Sequence, residues 1–248
     1  MNEYSDKKIL ISIVSHGQGY LIADLLKDIN KLNLKKTFSN LKIIITLNTP
    51  EDESFLSTYN GDLEIIRNNE ELGFGANHNQ AFNSFDSDYF LVLNPDIRIS
   101  KFDLFSFIEV LDSKSGCCAP MILNKFGKID DSVRRYPSIK RIIKRVIFNK
   151  RTIEYKIDDQ ILQVEWVAGM FILFNSSIYK SVNGFDTRFF MYLEDADICR
   201  RINNSGYKVL YASNYEVIHE AQRQSHKNIK HTAWHVISLL KFFFKWGQ

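Results

Sequence analysis

The feature that most constrains this chain is a rhythm. Four short apolar runs rich in β-branched residues, Ile9–Val14, Leu41–Leu47, Leu63–Arg67 and Tyr89–Leu93, are separated by segments that switch to helical spacing. Between the first two, Tyr20–Leu32 carries apolar residues at 21, 22, 25, 26, 29 and 32, a helical stripe. Before the fourth, Asn77–Ser84 reads as a short helix opened by the turn Gly73-Phe74-Gly75. Strands this apolar must be covered on both faces, and strands that alternate with helices need crossover connections. The pattern therefore predicts an α/β fold with a mainly parallel sheet flanked by helices. In an open sheet of that kind ligands collect beyond the carboxyl ends of the strands, so the residues just after each run are the place to look for chemistry. Residues 1–96 read as a nucleotide-binding type of half-domain.

After Asn94-Pro95-Asp96 the rhythm loosens. The spacing predicts a helix over Asp103–Leu111, a strand over Cys117–Ile122, a turn at Asn124–Gly127 and a strand within Val164–Phe174. A helix near Ser176–Val182, a loop over Asn183–Leu193, a helix Asp195–Asn204 closed by Gly206, and a strand Tyr207–Ala212 follow. Tyr215–Ile218 is also strand-like. Residues 97–219 read as built onto the same sheet, which makes 1–219 one domain. At 248 residues and 45% hydrophobic, the chain can fill one such core, and it lacks the polar composition of a disordered protein.

Residues 220–248 stand apart. Ile229, Ala233, Ile237, Leu240 and Phe244 fall at helical spacing, Trp234, Phe242, Phe243 and Trp246 widen the apolar face, and Lys230, Lys241 and Lys245 lie beside it. This composition suits an amphipathic helix lying in a membrane interface; a helix packed on the domain, or a homodimer contact, is the alternative. The formal net charge of +3 hides an asymmetry of the same kind. Lys128–Arg151 carries nine basic residues against two acids, and 220–248 five against one, which leaves a body of −8. The two basic segments are expected to face something anionic, unless they are simply solvated helix faces. Nucleic acid is disfavoured, because Tyr136 and Phe148 are the only aromatics in the first segment, a thin stacking platform.

Three cysteines, Cys117, Cys118 and Cys199, cannot make a disulfide framework and form no metal-binding pair. The polar N-terminus and the shortness of Ile9–Val14 give neither a signal peptide nor a membrane span, so a cytoplasmic location is expected. No nucleophile elbow, Walker loop, zincin pair or kinase signature occurs, which removes the common hydrolase and kinase readings.

Several short motifs could carry chemistry. Asp96, directly after the fourth strand, is placed to hold a metal over a diphosphate, or it only ends a turn. Glu194, Asp195 and Asp197 crowd a helix start after the aromatic loop Phe189–Leu193. Asp195 and Asp197 cannot share one helical face, so one carboxylate is expected in a cleft and another as a cap or as the partner of Arg200 or Arg201. Ser15-His16-Gly17 follows the first strand, Gly73 and Gly75 could admit a ligand close to the backbone, and Gly169 could do the same or mark a bulge. His219 is a metal ligand or a structural histidine.

Taken in order, Ile9–Gly17, Asn68–Asn79, Leu93-Asn94-Pro95-Asp96, Trp166–Gly169, Gly184–Asp197 and His219 resemble the family 2 glycosyltransferases, inverting enzymes of the GT-A fold, and most closely their rhamnosyltransferase-like branch. The resemblance spans Ile9 to His219. It implies that Asp96 and His219 hold magnesium or manganese, with Asn94 standing where the family's first metal-site Asp often lies. It implies that Asp195 is the general base, with Glu194 and Asp197 as second choices, and that Ser15, His16, Asn48, Gly75, Asn79, Asn94 and Gly169 line the donor pocket. The half 97–219 would face the acceptor. The expected reaction moves a sugar, rhamnose before others, from a nucleoside-diphosphate donor (dTDP-rhamnose favoured over a UDP-sugar) to a lipid-diphosphate-linked glycan. That is a step in bacterial surface polysaccharide synthesis, carried out by a cytoplasmic enzyme peripheral on the inner face of the membrane. The alternatives are a hexosyl or galactofuranosyl transferase of the same family, or a non-catalytic nucleotide-sugar or nucleic-acid binding module.

Overall fold

In a computed structural model the described residues are 6–141, 154–155, 160–220 and 229–247. Lys144, Arg145, Phe148, Lys150 and Arg151 of the first basic segment and Asn228 lie outside them. The four expected parallel strands are β1 (Lys8–Ser15), β2 (Asn40–Leu47), β3 (Leu63–Arg67) and β4 (Tyr89–Leu93), paired in the order β3-β2-β1-β4. Helix α1 (Gly19–Leu32) buries Leu21, Ile22, Leu25, Leu26 and Ile29 on one face of the sheet and ends where Asn33 turns left-handed. A one-turn α2 (Leu34–Thr37) and a 3₁₀ turn at Ser54–Thr58 lie in the crossovers. Helix α3 (Phe74–Ser84) starts three residues earlier than its spacing predicts, directly after Gly73.

The second half enters the same sheet. A two-residue β5 (Ile97–Arg98) precedes α4 (Leu104–Ile108), which is shorter than expected and capped by Asp103 on the Ser106 N–H. Strand β6 (Ser115–Asn124) follows, and β7 (Val133–Arg134) leaves the sheet. The strand expected within Val164–Phe174 is broken into β9 (Trp166–Val167) and β10 (Phe171–Asn175), and a further strand, β8 (Ile161–Gln163), lies just before it. The break has a cause: β9 pairs with β7, while β8 pairs with the long final strand β11 (Lys208–His219). Helices α5 (Ser176–Ser181) and α6 (Glu194–Asn204) intervene, the latter followed by Gly206 at φ +85°. Strand β11 merges the two strand-like runs 207–212 and 215–218 across a register shift between Ala212 and Glu216. Among the described residues the main sheet has nine strands, ordered β3-β2-β1-β4-β10-β6-β11-β5 with β8 beside β11.

Direction is what makes this sheet useful. Strand β10 is antiparallel to both β4 and β6, whereas β11 is parallel to β6, so β1, β2, β4, β6 and β11 all end at one edge. Strand β5 returns against the last residues of β11, pairing Ile97 with His219. Ile9, Ile11 and Ile13 point towards α1, while Leu10, Phe90 and Val92 point into the opposite core with Phe174, Tyr179 and Phe185, so the central strands are buried on both faces. Asp28 is buried within α1 and accepts a bidentate pair from Arg98 at 2.7 and 2.9 Å, tying β5 to the helix layer. Cys117, Cys118 and Cys199 are buried and not disulfide-bonded.

Helix α7 (Ile229–Trp246) closes the chain and has two apolar faces, not one. Phe242 is fully buried, and Leu239, Phe243 and Trp246 pack on the core beside it. Ile237, Leu240 and Phe244, read in the sequence on one apolar stripe, are exposed on the other face, Phe244 at 94%. Lys241 and Lys245, expected beside a membrane face, reach back into the protein: Lys241 donates to the Arg188 carbonyl, and Lys245 pairs with Asp186 and Asp197 at 2.7 Å.

Candidate active site

The site is built where those strand ends meet. Asn94 follows β4, and its N–H donates to the Met170 carbonyl at 2.9 Å while its own carbonyl accepts from Ile97. That turn swings Asp96 towards His219, the last residue of β11. His219 Nε2 lies 3.1 Å from Asp96 Oδ2, and Nδ1 lies 3.1 Å from Asp130 Oδ2. Carboxylates only accept, so each contact is a hydrogen bond when that ring nitrogen carries a proton. Burial alone would push His219 down, but the two flanking carboxylates outweigh it and raise its pKa to about 9. Asp96 Oδ1 is buried and has no hydrogen-bond partner. An uncompensated carboxylate oxygen beside an imidazole fits an open divalent-cation site whose other positions a diphosphate would fill. Among the described residues no group of three or more His, Cys, Asp or Glu is placed to hold a metal ion.

The second cluster is tied to the first through β10. Gly169, two residues before β10 and next to Met170, donates its N–H to Asp195 Oδ2 at 2.9 Å, and Ala196 N–H donates to Oδ1 at 2.8 Å. A Cβ on Gly169 would lie 3.2 Å from the Phe74 ring and 3.7 Å from Asp195 Cβ, so β9 and α6 approach closely there. Tyr192 and Leu193, just before α6, both have left-handed backbones at φ +71° and +65°. Each costs on the order of 1 kcal/mol or more in a non-glycine residue. Strain of this kind is held only where surrounding contacts over-determine it, and it brings Glu194 and Asp195 to the helix start. Burial raises the pKa of both carboxyls, and the neighbouring Asp195 adds to the shift of Glu194. Asp195 is half-buried, whereas Glu194 is buried with Oε2 unpartnered. Asp197 turns to the other side of α6, where it pairs with Arg201 at 2.8 Å and Lys245 at 2.7 Å and accepts from the Trp246 indole.

On the nucleotide side the expected residues divide. Asn48 accepts from the Leu72 N–H and donates to the Leu72 carbonyl, both at 2.9 Å, so it pins the loop 68–72. Asn68 bridges Asn48 and Asn77 at 2.7 and 2.6 Å. His16 lies 3.1 Å from the Asn48 amide, its pKa lowered chiefly by burial. Ser15 is buried, and its hydroxyl accepts from Gln18 in the turn before α1. Gly75 and Asn79 lie behind this wall. A Cβ on Gly75 would sit 2.5 Å from Phe185 Cβ, and Asn79 spends its amide on both backbone groups of Phe185 and on the Tyr179 hydroxyl. Their geometry is that of a clamp joining α3 to the turn 183–185.

Two contributors escaped the sequence reading, and two more, Asn68 and Asn77, stood in the motif Asn68–Asn79 without a role of their own. Asp130 meets His219 from the hairpin after β6. The charge of Arg134 offsets part of the burial that raises the Asp195 carboxyl, and its guanidinium lies over the Trp166 ring at 5.4 Å while paired with Asp131. Asn68 and Asn77 complete the loop clasp. Asp130 and Arg134 sat inside a stretch read only as a charge run, and no local spacing marks either.

A sheet that gathers a nucleotide-side loop, an open carboxylate–imidazole pair and a tethered carboxylate at one edge is the GT-A type fold of nucleotide-sugar transferases. A family model described as glycosyl transferase family 2 matches residues 11–184. The rhamnosyltransferase WbbL of Escherichia coli K12 is 31% identical over 94% of this chain and 92% of its own length. An N-acetylglucosaminyl-diphospho-decaprenol L-rhamnosyltransferase of Mycobacterium tuberculosis is 27% identical over 53% of this chain and 47% of its own, so the chain spans about half of that relative. Among solved structures, a Pyrobaculum calidifontis mannosyltransferase in complex with GDP-Man and Mn2+ aligns with a TM-score of 0.62, covering 97% of this chain and 65% of that one at 13% identity. GalNAc-T7 with UDP, GalNAc and Mn2+ aligns at 0.65, over 90% and 45%, also at 13% identity. The chain belongs to glycosyl transferase family 2. It is a glycosyltransferase.

Proposed function

We propose that this enzyme is an inverting rhamnosyltransferase that transfers rhamnose from dTDP-rhamnose to a lipid-diphosphate-linked glycan at the cytoplasmic face of the membrane. The observation that carries the reading is the 31% identity to a rhamnosyltransferase over 94% of the chain. Asp96 and His219 would hold magnesium or manganese, which when bound neutralises charge building on the departing diphosphate. The loop clasped by Asn48, Asn68 and Asn77 orients the nucleotide. Asp195, fixed by two backbone N–H groups, takes the proton of the acceptor hydroxyl as its oxygen attacks the anomeric carbon from the face opposite the diphosphate. A carboxylate whose pKa is raised by burial is a stronger base than an exposed one.

The acceptor's lipid suggests where the rest of the molecule sits. Val236, Ile237, Leu240 and Phe244 form an exposed apolar row on α7, the helix that packs against the loop before Asp195. No helix among the described residues is long and apolar enough to cross a membrane, so this row suits a helix lying in the interface. Nucleotide release from a panel of nucleoside-diphosphate sugars, with and without manganese, for wild type and Asp195→Asn tests the reaction. Donor-selective, metal-stimulated turnover with dTDP-rhamnose, lost in the variant, is expected; preference for a UDP-hexose or UDP-galactofuranose would replace rhamnose as the transferred sugar.

A further inference from the structure

We propose that Asp130 is a positioning residue: it fixes the His219 ring so that Nε2 is the nitrogen offered to a cation beside Asp96. The inference rests on the reading of Asp96 and His219 as metal ligands. His219 Nδ1 faces Asp130 Oδ2 at 3.1 Å on the side of the ring opposite Asp96. An imidazole that ligates through one nitrogen keeps its single N–H on the other, and an acceptor-only partner there selects which nitrogen is free to ligate.

The carboxylate is held by rigid structure. Asp130 N–H donates to the Ile122 carbonyl at 2.8 Å, and the turn below it is closed by Asn124 and Lys128, also at 2.8 Å. Leu123 and Asn124 of that same hairpin pair in register with Ile218 and His219. Asp130 Oδ1 accepts from the Asp131 N–H at 2.9 Å, and Oδ2 faces the histidine. Two residues on, the Ser132 carbonyl accepts from Ala168 at 2.8 Å, next to the glycine that holds Asp195. The hairpin therefore braces the histidine and joins the two clusters of the site.

The test is manganese binding in the presence of dTDP, by calorimetry, for wild type, His219→Ala and Asp130→Asn, with thermal melts to show that each is folded. An amide can donate as well as accept, so Asp130→Asn removes the selection while keeping the shape. Loss of manganese affinity on the order of 10- to 100-fold in Asp130→Asn is expected. If wild type binds and His219→Ala is weakened while Asp130→Asn is unchanged, the positioning role is overturned and the metal site stands. If wild type itself binds no manganese with dTDP, both fall. The ring ¹⁵N resonances of wild-type His219 with magnesium and dTDP give a second readout that needs no variant: Nδ1 protonated and Nε2 ligated supports the assignment, and Nδ1 ligated refutes it.

Discussion

Asp195 and Glu194 are adjacent in the chain and opposite in surroundings. Asp195 receives two backbone N–H groups, while Glu194 Oε2 is buried with none. Asp195→Asn keeps the shape and removes the proposed base, so kcat should fall by about 10²–10⁴-fold with donor binding by calorimetry little changed. Because burial raises Asp195, the acid limb of the wild-type rate profile should lie above the ordinary aspartate value of 3.8. Glu194 has a stability signature. Its native pKa is raised above the ordinary 4.5, so above that pH the unfolded chain releases a proton that the native state retains. Stability contributed by Glu194 is thus full below about 4.5 and lost as pH rises towards its native value. Urea titrations from pH 4 to 8 should show Glu194→Gln equal to wild type at the acid end and increasingly more stable towards neutrality. At Gly73 a Cβ would lie 2.5 Å from the Phe190 carbonyl oxygen, a backbone atom that cannot swing away. Gly73→Ala should therefore melt well below wild type. The acidic cluster was legible as a motif; which of its three carboxylates is tethered to the Gly169 N–H was not, since that depends on the left-handed turn at Tyr192-Leu193.

The C-terminal helix shows how far periodicity reaches at the scale of an element. Helical spacing was plain in the sequence, but apolar residues lie on nearly every side of α7, so spacing alone could not say which side docks. The tertiary contacts decide it: Ser238 donates to the Met191 carbonyl at 2.8 Å, Trp234 stacks on Phe190 at 5.0 Å, and Trp246 and Lys245 reach Asp197. Two phenylalanines two residues apart should consequently behave differently. Phe242→Ala should cost about 3–5 kcal/mol, as removal of a buried ring does, read in urea unfolding or as lost hydrogen-exchange protection of α7. Phe244→Ala should change stability by under about 0.5 kcal/mol. The broken strand region teaches the same lesson in β structure. Val164–Phe174 has strand-like composition throughout, yet it serves three different partners, and partner choice is not written in local propensity.

Across the whole molecule, one sheet edge carries the nucleotide-side loop, the Asp96–His219 pair and the Asp195 tether, and α7 lays an apolar row beside them. Replacing Val236, Ile237, Leu240 and Phe244 with Ser should weaken binding to anionic vesicles more than tenfold while leaving turnover of a soluble donor unchanged. Tenfold needs only about 1.4 kcal/mol, less than the burial of one large side chain supplies. Unchanged sedimentation with vesicles would remove the membrane role from this helix. The sequence by itself determined the α/β class, the four parallel strands, the helical tail and the motifs at the strand ends, because periodicity and turn chemistry act over a few residues. Only the tertiary structure decided that Asp130 reaches His219, that Asn79 clamps Phe185 from 106 positions away, and that Asp197 anchors the tail. Those outcomes depend on which strands become neighbours and in which direction they run, and that is settled by the packing of the whole core.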